Sequence, residues 1–380
     1  MDLYSVSVIL FFAMIGVVLY VDRKKIEHSH LVLFMRRTKR FGKFIDDVAK
    51  CCPKFWRFFY NIGVIIAILA MVYGLFLISL ASYKVISGEI TEPALKLVLP
   101  SISSQESVGD FSVNIPFWTW VLIIGLILVP HELSHGIAAR IDKIKLKSVG
   151  LMLLAFFPGA FVEPDDAQLA RKKLGTKLRV FCAGTYVNIL TALVAILLIA
   201  FVVFPVLFQS GVQIIQVDEN SPASLAGIPN GTIMIEVNNQ PIKTTYVEFI
   251  QPYGYFMDEV GIPEIGQELV FKDSNGKTYI VTIDEQDSQP HLGILYTPIP
   301  SNNLFYFQLL KFLKKLWVFS SAVAIFNMLP LGPLDGGQVF TSLSEKYIPK
   351  YAKRAQKIVF TLTGFLLLVM LFGSTVVGMF

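Results

Sequence analysis

Three polar residues within one apolar stretch have the types and spacing for metal chemistry. His131 and His135 are four positions apart in the segment HELSH, so a helix would present both imidazoles on one face. Two imidazoles at this spacing can hold one zinc ion, and Glu132 is then placed to accept a proton from an attacking water. The alternative is a pair of buried histidines that bond to helix carbonyls or to each other.

A catalytic zinc ion takes three protein ligands and keeps one position open. The other histidines, His28, His30 and His291, fall in segments that we assign to loops. Asp335 lies within an apolar stretch, and ionisable groups in a membrane are functional candidates because they are costly to bury. Counted along their spans, HELSH and Asp335 both lie on the order of 25 Å from the outer face. Asp335 is therefore the candidate third ligand, with an interfacial helix terminus as the alternative.

The sequence around Asp335 is incompatible with a regular helix. The segment 327–337, NMLPLGPLDGG, contains two prolines and three glycines. Inside a membrane such backbone is tolerated only where protein or water binds its freed polar groups. It would give an extended substrate access to donors, and Asn327 is a candidate donor to a substrate carbonyl or an oxyanion. A packing kink is the alternative for the prolines alone.

The elements that must position these residues are membrane spans. The chain has 380 residues, of which 54% are hydrophobic and 16% charged, whereas a soluble domain has about 25% charged residues. This composition excludes a disordered chain and an ordinary cytosolic enzyme, and three cysteines exclude a disulfide scaffold. The first apolar stretch reads as a retained anchor rather than a signal peptide. The predicted spans are 3–21, 58–80, 116–139, 180–208, 316–340 and 358–380.

The charge of the loops predicts one orientation. Loops 22–57, 140–179 and 341–357 carry an excess of Lys and Arg, 11 against 4 acids in 22–57. Segments 81–115 and 209–303 carry an excess of acids, 12 against 3 basic residues in 209–303. Because excess Lys and Arg marks the cytoplasmic side, we expect both termini and 209–303 to be extracytoplasmic and the site to lie toward the cytoplasm. The lipid bilayer is then a partner of the basic loops, and no nucleic-acid partner is expected.

Segment 209–303 is long enough to form a small domain. Its short apolar strands alternate with Gly, Asn and Pro turns, which indicates a β-rich fold, with a helical stretch near 246–260. The residues 217–227 and the strand IMIEVN that follows resemble a PDZ domain, and Leu292-Gly293-Ile294 is its candidate peptide-facing strand. PDZ domains bind extended peptides by strand addition, so Gly293 is a candidate peptide-binding residue. A structural cap on the spans is the alternative.

Taken together, HELSH and the N-x-x-P-x-x-x-L-D-G pattern at 327–336 resemble the site-2 protease family of intramembrane zinc metalloproteases. The segments 156–164 and 181–190 are similar to further stretches of that family. An inserted PDZ-like domain is also common among its members. The resemblance implies zinc held by His131, His135 and Asp335, with Glu132 as general base. It also implies a membrane-re-entrant β-element, which 149–162 fits, and substrate-facing or supporting roles for Asn327 and Asn188. The first two spans and loop 22–57 lie outside the shared core.

We therefore expect an α-helical integral membrane protein of about six transmembrane helices, with a re-entrant β-element and a small β-rich PDZ-like domain outside the cytoplasm. The expected activity is hydrolysis of a peptide bond within the membrane segment of a single-span substrate protein, toward the cytoplasmic side. The alternatives are a proton or metal-ion transporter that uses the same four residues, and a catalytically silent scaffold. The expected divisions are 1–57, first span and basic loop; 58–115, second span and outer loop; 116–208, first part of the protease core; 209–303, PDZ-like domain; 304–340, second part of the core; and 341–380, cytoplasmic loop and last span.

Overall fold

A computed structural model describes residues 3–22, 26–30, 33–90, 93–104, 107–109, 112–154, 157–242, 264–286, 289–300 and 304–377. The chain divides into two compact units. The first comprises Met1–Val194 with Lys315–Phe380, and the second comprises Ala195–Lys314. All of the residues predicted to hold or serve a metal fall in the first unit.

Helices dominate the described part of the chain. In chain order they are α1 Leu3–Val21, α2 Lys39–Cys51, α3 Pro53–Ile86, α4 Phe117–Ile141, α5 Asp166–Ala170, α6 Leu174–Leu198, α7 Phe204–Leu207, α8 Pro222–Leu225, α9 Leu304–Asn327, α10 Asp335–Tyr347 and α11 Ala352–Val377. A π-helical turn, Ile199–Val203, joins α6 to α7.

The strands in the described part of the chain form four sheets. They are β1 Ile26–His30, β2 Leu33–Arg37, β3 Leu97–Ser101, β4 Ser107–Val108, β5 Ser112–Pro116, β6 Leu146–Leu154, β7 Phe157–Pro164, β8 Phe208–Val217, β9 Ile233–Val237, β10 Gln240–Pro241, β11 Glu268–Asp273, β12 Thr278–Thr282, β13 Asp284–Gln286, β14 Gln289–His291 and β15 Ile294–Pro300. The sheet orders are β1-β2-β6-β7, β3-β5-β4, β12-β11-β9-β8-β15 with β10 beside β9, and β13-β14.

Four helices among the residues described are long and apolar enough to cross a membrane: α3, α4, α6 with its continuation to Val206, and α11 as far as Gly373. They match four of the predicted spans, and the protein is an integral membrane protein. The helix α1 has a shorter apolar stretch, Leu3–Val17. No single helix covers the predicted span 316–340. Six membrane crossings therefore stay a prediction.

The interruption of the span 316–340 follows from its prolines and glycines. Helix α9 ends at Asn327, and α10 begins at Asp335 after a turn. A glycine permits this close approach, because a Cβ atom on Gly337 would lie 1.9 Å from the carbonyl oxygen of Leu331. The fold thus places Asp335 in the first turn of a short helix rather than in the middle of a long one.

Helix α4 presents small residues on its buried face. Ala138 and Ala139 are almost fully buried in a cluster that also contains Ile45 of α2, Tyr60 of α3 and Ala183 of α6. Small side chains let helix backbones approach closely, and close packing is what holds helices together in lipid. The cluster fixes α4, and with it the HELSH turn, against its neighbours.

The β-element predicted at 149–162 corresponds to the hairpin β6–β7, whose strands pair antiparallel from Leu146 to Pro164, and its re-entry into the membrane stays a prediction. The loop 22–57, which sequence reasoning placed outside the shared core, adds two strands to the same sheet. Strand β2 pairs with β6, Met35 lying opposite Met152. The hairpin is therefore supported on one side by the N-terminal segment, while β7 ends the sheet order among the described strands.

The second unit contains a sheet in which β15 is a terminal strand beside β8. Gly293, immediately before β15, has a φ of +72°, a left-handed conformation that favours glycine. Its carbonyl oxygen accepts the backbone N–H of Asp218 at 2.9 Å. The helical stretch predicted near 246–260 lies outside the described residues. The PDZ-like assignment of 209–303 stays a prediction.

Candidate metal centre

Three side chains from two separate helices converge on one point. The Nε2 atoms of His131 and His135 are 3.1 Å apart, and the Oδ2 atom of Asp335 lies 3.4 Å from each of them. Helix α4 supplies both histidines because their spacing of four residues puts them on one face. The first turn of α10 supplies the carboxylate. The predicted ligand set is therefore brought together in space.

The donor set fits a zinc ion. Two ligands about 2.0–2.1 Å from a tetrahedral ion lie roughly 3.3 Å apart, which matches all three separations. The buried Oδ2 atom of Asp335 has no hydrogen-bond partner among the described residues. When both Nε2 atoms carry lone pairs rather than a proton, these atoms and the carboxylate repel at such distances unless a cation lies between them.

Each histidine is oriented by a partner on α6. The Nδ1 atom of His135 lies 2.7 Å from the carbonyl oxygen of Val180. Since a carbonyl can only accept, Nδ1 carries the proton and Nε2 presents its lone pair to the centre. The Nδ1 atom of His131 lies 3.0 Å from Nδ2 of Asn188. The partner of a metal-ligating histidine fixes its tautomer and the direction of its ring.

The amide of Asn188 has a preferred direction when His131 is a ligand. With Nδ2 toward the ring, the amide oxygen Oδ1 is buried without a hydrogen-bond partner in the described chain. A half-turn of the amide brings Oδ1 to the Nδ1–H of His131, which satisfies both groups and leaves Nε2 free to bind a cation. The backbone carbonyl of Asn188 accepts the hydroxyl of Ser320 at 2.8 Å, which ties α6 to α9.

We expect Asn188→Ala to weaken zinc binding by about 10- to 100-fold, because His131 loses the acceptor that fixes its tautomer. Asn188→Asp keeps an acceptor at the same place and should retain most of the affinity. Thr191→Ala, on the same helix, removes a hydroxyl that, within the described chain, donates to the carbonyl of Val187, and it is the matched control. Competition with a chromogenic chelator in detergent measures all three affinities. Equal losses in the Ala and Asp variants would contradict this role.

Gly184 on α6 lies directly against the two ligand rings. A Cβ atom on Gly184 would be 2.5 Å from the Nε2 atoms of both His131 and His135. Any side chain at this position would therefore occupy space that the ligand atoms need. Gly184 is not among the residues predicted for the site, because no local pattern distinguishes it from a glycine that serves helix packing.

Glu132 lies beside the ligands and bonds to the hairpin. Its Oε2 atom accepts the backbone N–H of Val162 on β7 at 3.1 Å. Glu132 and Val162 line a cavity of about 580 Å³ together with the three ligand residues. Asn327, at the end of α9, lines the same cavity. The structure therefore gathers Glu132, Asn188 and Asn327 at the metal centre, whereas Gly293 belongs to the second unit.

The HELSH helix, the carboxylate from a second helix and the apolar helices around them are the arrangement expected of a membrane metallopeptidase. Residues 119–371 match peptidase family M50, the site-2 protease family, and the chain belongs to this family. Proteases of this family are zinc-dependent, which agrees with the His-His-Asp group. Family membership supports the peptidase interpretation over the transport interpretation.

Two relatives show the extent of the similarity. The chain is 28% identical over 353 residues to an uncharacterized protein of Methanocaldococcus jannaschii, which covers 91% of this chain and 87% of that protein. It is 26% identical over 205 residues to a membrane-bound transcription factor site-2 protease homolog of Arabidopsis thaliana, which covers 52% of this chain and 37% of that protein. The first similarity extends over almost the whole chain, including segments outside 119–371.

Proposed function

We propose that this protein is an intramembrane zinc metalloprotease that hydrolyses a peptide bond within the membrane segment of a single-span substrate, toward the cytoplasmic side. The observation that carries the proposal is the convergence of His131, His135 and Asp335 beside Glu132. These three ligands would hold zinc, which when bound polarises the scissile carbonyl and lowers the pKa of a water molecule. Three protein ligands would leave one coordination position for the reacting groups.

The protein's own groups supply the remaining chemistry. Glu132 accepts the proton of the attacking water and then returns a proton to the leaving amine. Asn327, which lines the cavity, donates a hydrogen bond to the substrate carbonyl or to the oxyanion that develops from it. Glu132 lies on helix α4 and Asn327 is the last residue of α9, so both side chains are carried by helices.

The substrate must be extended at the scissile bond, because a helical peptide bond is shielded by its own turn. Strand β7 offers an extended partner next to Glu132, and an unwound substrate segment can pair with it. A helix that unwinds in lipid needs partners for its freed backbone groups, and the sheet supplies them.

The 209–303 segment is proposed to act on the substrate's outer part, as a PDZ-like domain. Strand β15, which follows Gly293, is a terminal strand of its sheet among the described strands and suits strand addition by a peptide. Loop charges favour an extracytoplasmic position for this segment and for both termini. Under this proposal the domain either docks or excludes ectodomains, so that a substrate trimmed outside is cleaved within the membrane.

The proposal is tested by reconstituting the purified protein in liposomes with a panel of single-span reporters and reading products by mass spectrometry. We expect cleavage within the membrane segment that a zinc chelator abolishes and added zinc restores. Asp335→Ala should lose both zinc and cleavage, because two imidazoles alone leave the site short of one ligand. Asp47→Asn, an exposed acid on α2, is the matched control.

Two results would overturn the proposal. One is cleavage that persists in zinc-free protein, and the other is normal zinc content and activity in Asp335→Ala. Transport of protons or metal ions by zinc-loaded protein that cleaves no reporter would instead support the transport interpretation.

A further inference from the structure

The backbone of β7 has an outer edge whose polar groups can be assigned from strand register. Val162 lies opposite Val149 of β6, and the carbonyl of Val149 accepts the N–H of Thr38 on the other side of β6. A residue in an antiparallel ladder points its N–H and C=O to the same side. Val149 therefore faces away from β7, and the N–H and C=O of Val162 face away from β6.

The alternation of β7 defines which other groups share this edge. Pro158, Ala160 and Pro164 have the same parity as Val162, so they too point away from β6. Proline has no backbone N–H. Ala160 and Val162 are consequently the two donors that β7 offers along its outer edge.

One of these two donors is already bound. The N–H of Val162 donates to Oε2 of Glu132 at 3.1 Å, and Glu132 is the residue proposed as general base. Val162 also packs closely against α4, since a Cβ atom on Gly136 would lie 3.1 Å from its Cγ1 atom. A substrate carbonyl that pairs at this point of β7 must take the same N–H.

We propose that the Val162 N–H couples substrate pairing to release of the general base. Without substrate it holds the Glu132 carboxylate against β7. When an extended substrate pairs with β7, a substrate carbonyl takes the N–H, and the carboxylate is freed to accept a proton. Val162 is a positioning residue in this scheme, which rests on the proposed proteolytic function. It makes cleavage conditional on an extended, paired segment.

The proposal is tested by removing this one donor. Replacing Val162 by α-hydroxyisovaleric acid through nonsense suppression exchanges the N–H for an oxygen and keeps the side chain. Val162→Pro removes the same donor with natural residues, and the β6 ladder does not use it. Two reporters are compared, one unmodified and one N-methylated along the flank that would pair with β7.

We expect the wild-type protein to cleave the N-methylated reporter poorly. In both Val162 variants its kcat/KM should rise about tenfold, the order expected for loss of one hydrogen bond to a charged group. The kcat/KM for the unmodified reporter should not rise in these variants. This substrate loses its hydrogen bond to residue 162 at the same time as Glu132 is released. The readout is the ratio of the two kcat/KM values, which general damage to the hairpin would leave unchanged.

The matched control replaces the N–H of Phe161, which faces β6, by an ester oxygen. This change should lower kcat/KM for both reporters by the same factor. The coupling proposal is overturned if the two Val162 variants leave the ratio of the two kcat/KM values as in the wild type, including the case in which both values fall by the same factor. Failure of the proposed function is a different result, in which wild-type, zinc-loaded protein cleaves neither reporter.

Discussion

Glu132→Gln should abolish peptide cleavage and leave zinc binding intact. Glutamine has nearly the same shape and can still accept the N–H of Val162, but it cannot take up a proton at neutral pH. Loss of a positioned general base costs about 10²- to 10⁴-fold in rate. The three ligands His131, His135 and Asp335 are unchanged, so metal content should equal that of the wild type.

Single-turnover cleavage of a membrane-embedded reporter and elemental analysis of the same preparation measure the two quantities. Glu163→Gln is the matched control, because Glu163 is also on the hairpin but accepts a hydrogen bond from Ser148 rather than facing the cavity. It should retain both activity and zinc. Turnover by Glu132→Gln within about threefold of the wild type would remove Glu132 from the role of general base.

The grouping of the three proposed metal ligands could be predicted from the sequence because their signals are local or chemical. The HELSH spacing places His131 and His135 on one face of any helix, whatever the surrounding fold. Asp335 stood out because an acid in an apolar segment is costly without a partner. The helix break before Asp335 could also be predicted, from its prolines and glycines. The lengths of the two helices that flank the break could not.

The remaining parts of the site depend on long-range packing that no local pattern encodes. The pairing of β2 with β6 joins residues more than 100 positions apart, and the loop 22–57 shows only basic charge in the sequence. The bond between Glu132 and Val162 depends on which edge of the hairpin faces α4. A glycine in an apolar helix usually indicates close helix packing. The contact of Gly184 with the rings of His131 and His135 therefore cannot be predicted from the sequence.

Gly184→Ala should destroy the metal centre while leaving the fold in place. The added methyl would lie 2.5 Å from the Nε2 atoms of both His131 and His135, well inside van der Waals contact. Those atoms cannot retreat freely, because the Nδ1 atoms on the other side of the rings are bound to Val180 and Asn188 of the same helix. We expect at least a hundredfold loss of zinc affinity, the upper end of what displaced partners of a ligating histidine cost.

The matched control is Gly175→Ala. Gly175 is the second residue of the same helix, and the nearest neighbour of a new Cβ atom there is 3.8 Å away. Alanine in place of a glycine stabilises a protein by about 0.4–1 kcal/mol where the backbone adopts its conformation without strain, so this variant should keep its zinc and unfold at a slightly higher temperature. Zinc affinity by chelator competition and thermal unfolding in detergent, each with metal-free protein, distinguish the two effects. A metal-free Gly184→Ala protein that unfolds with the wild type but binds no zinc confirms that the glycine serves the ligands. A variant that binds zinc normally would show that the rings can move aside, and the space at Gly184 would then be a property of helix packing alone.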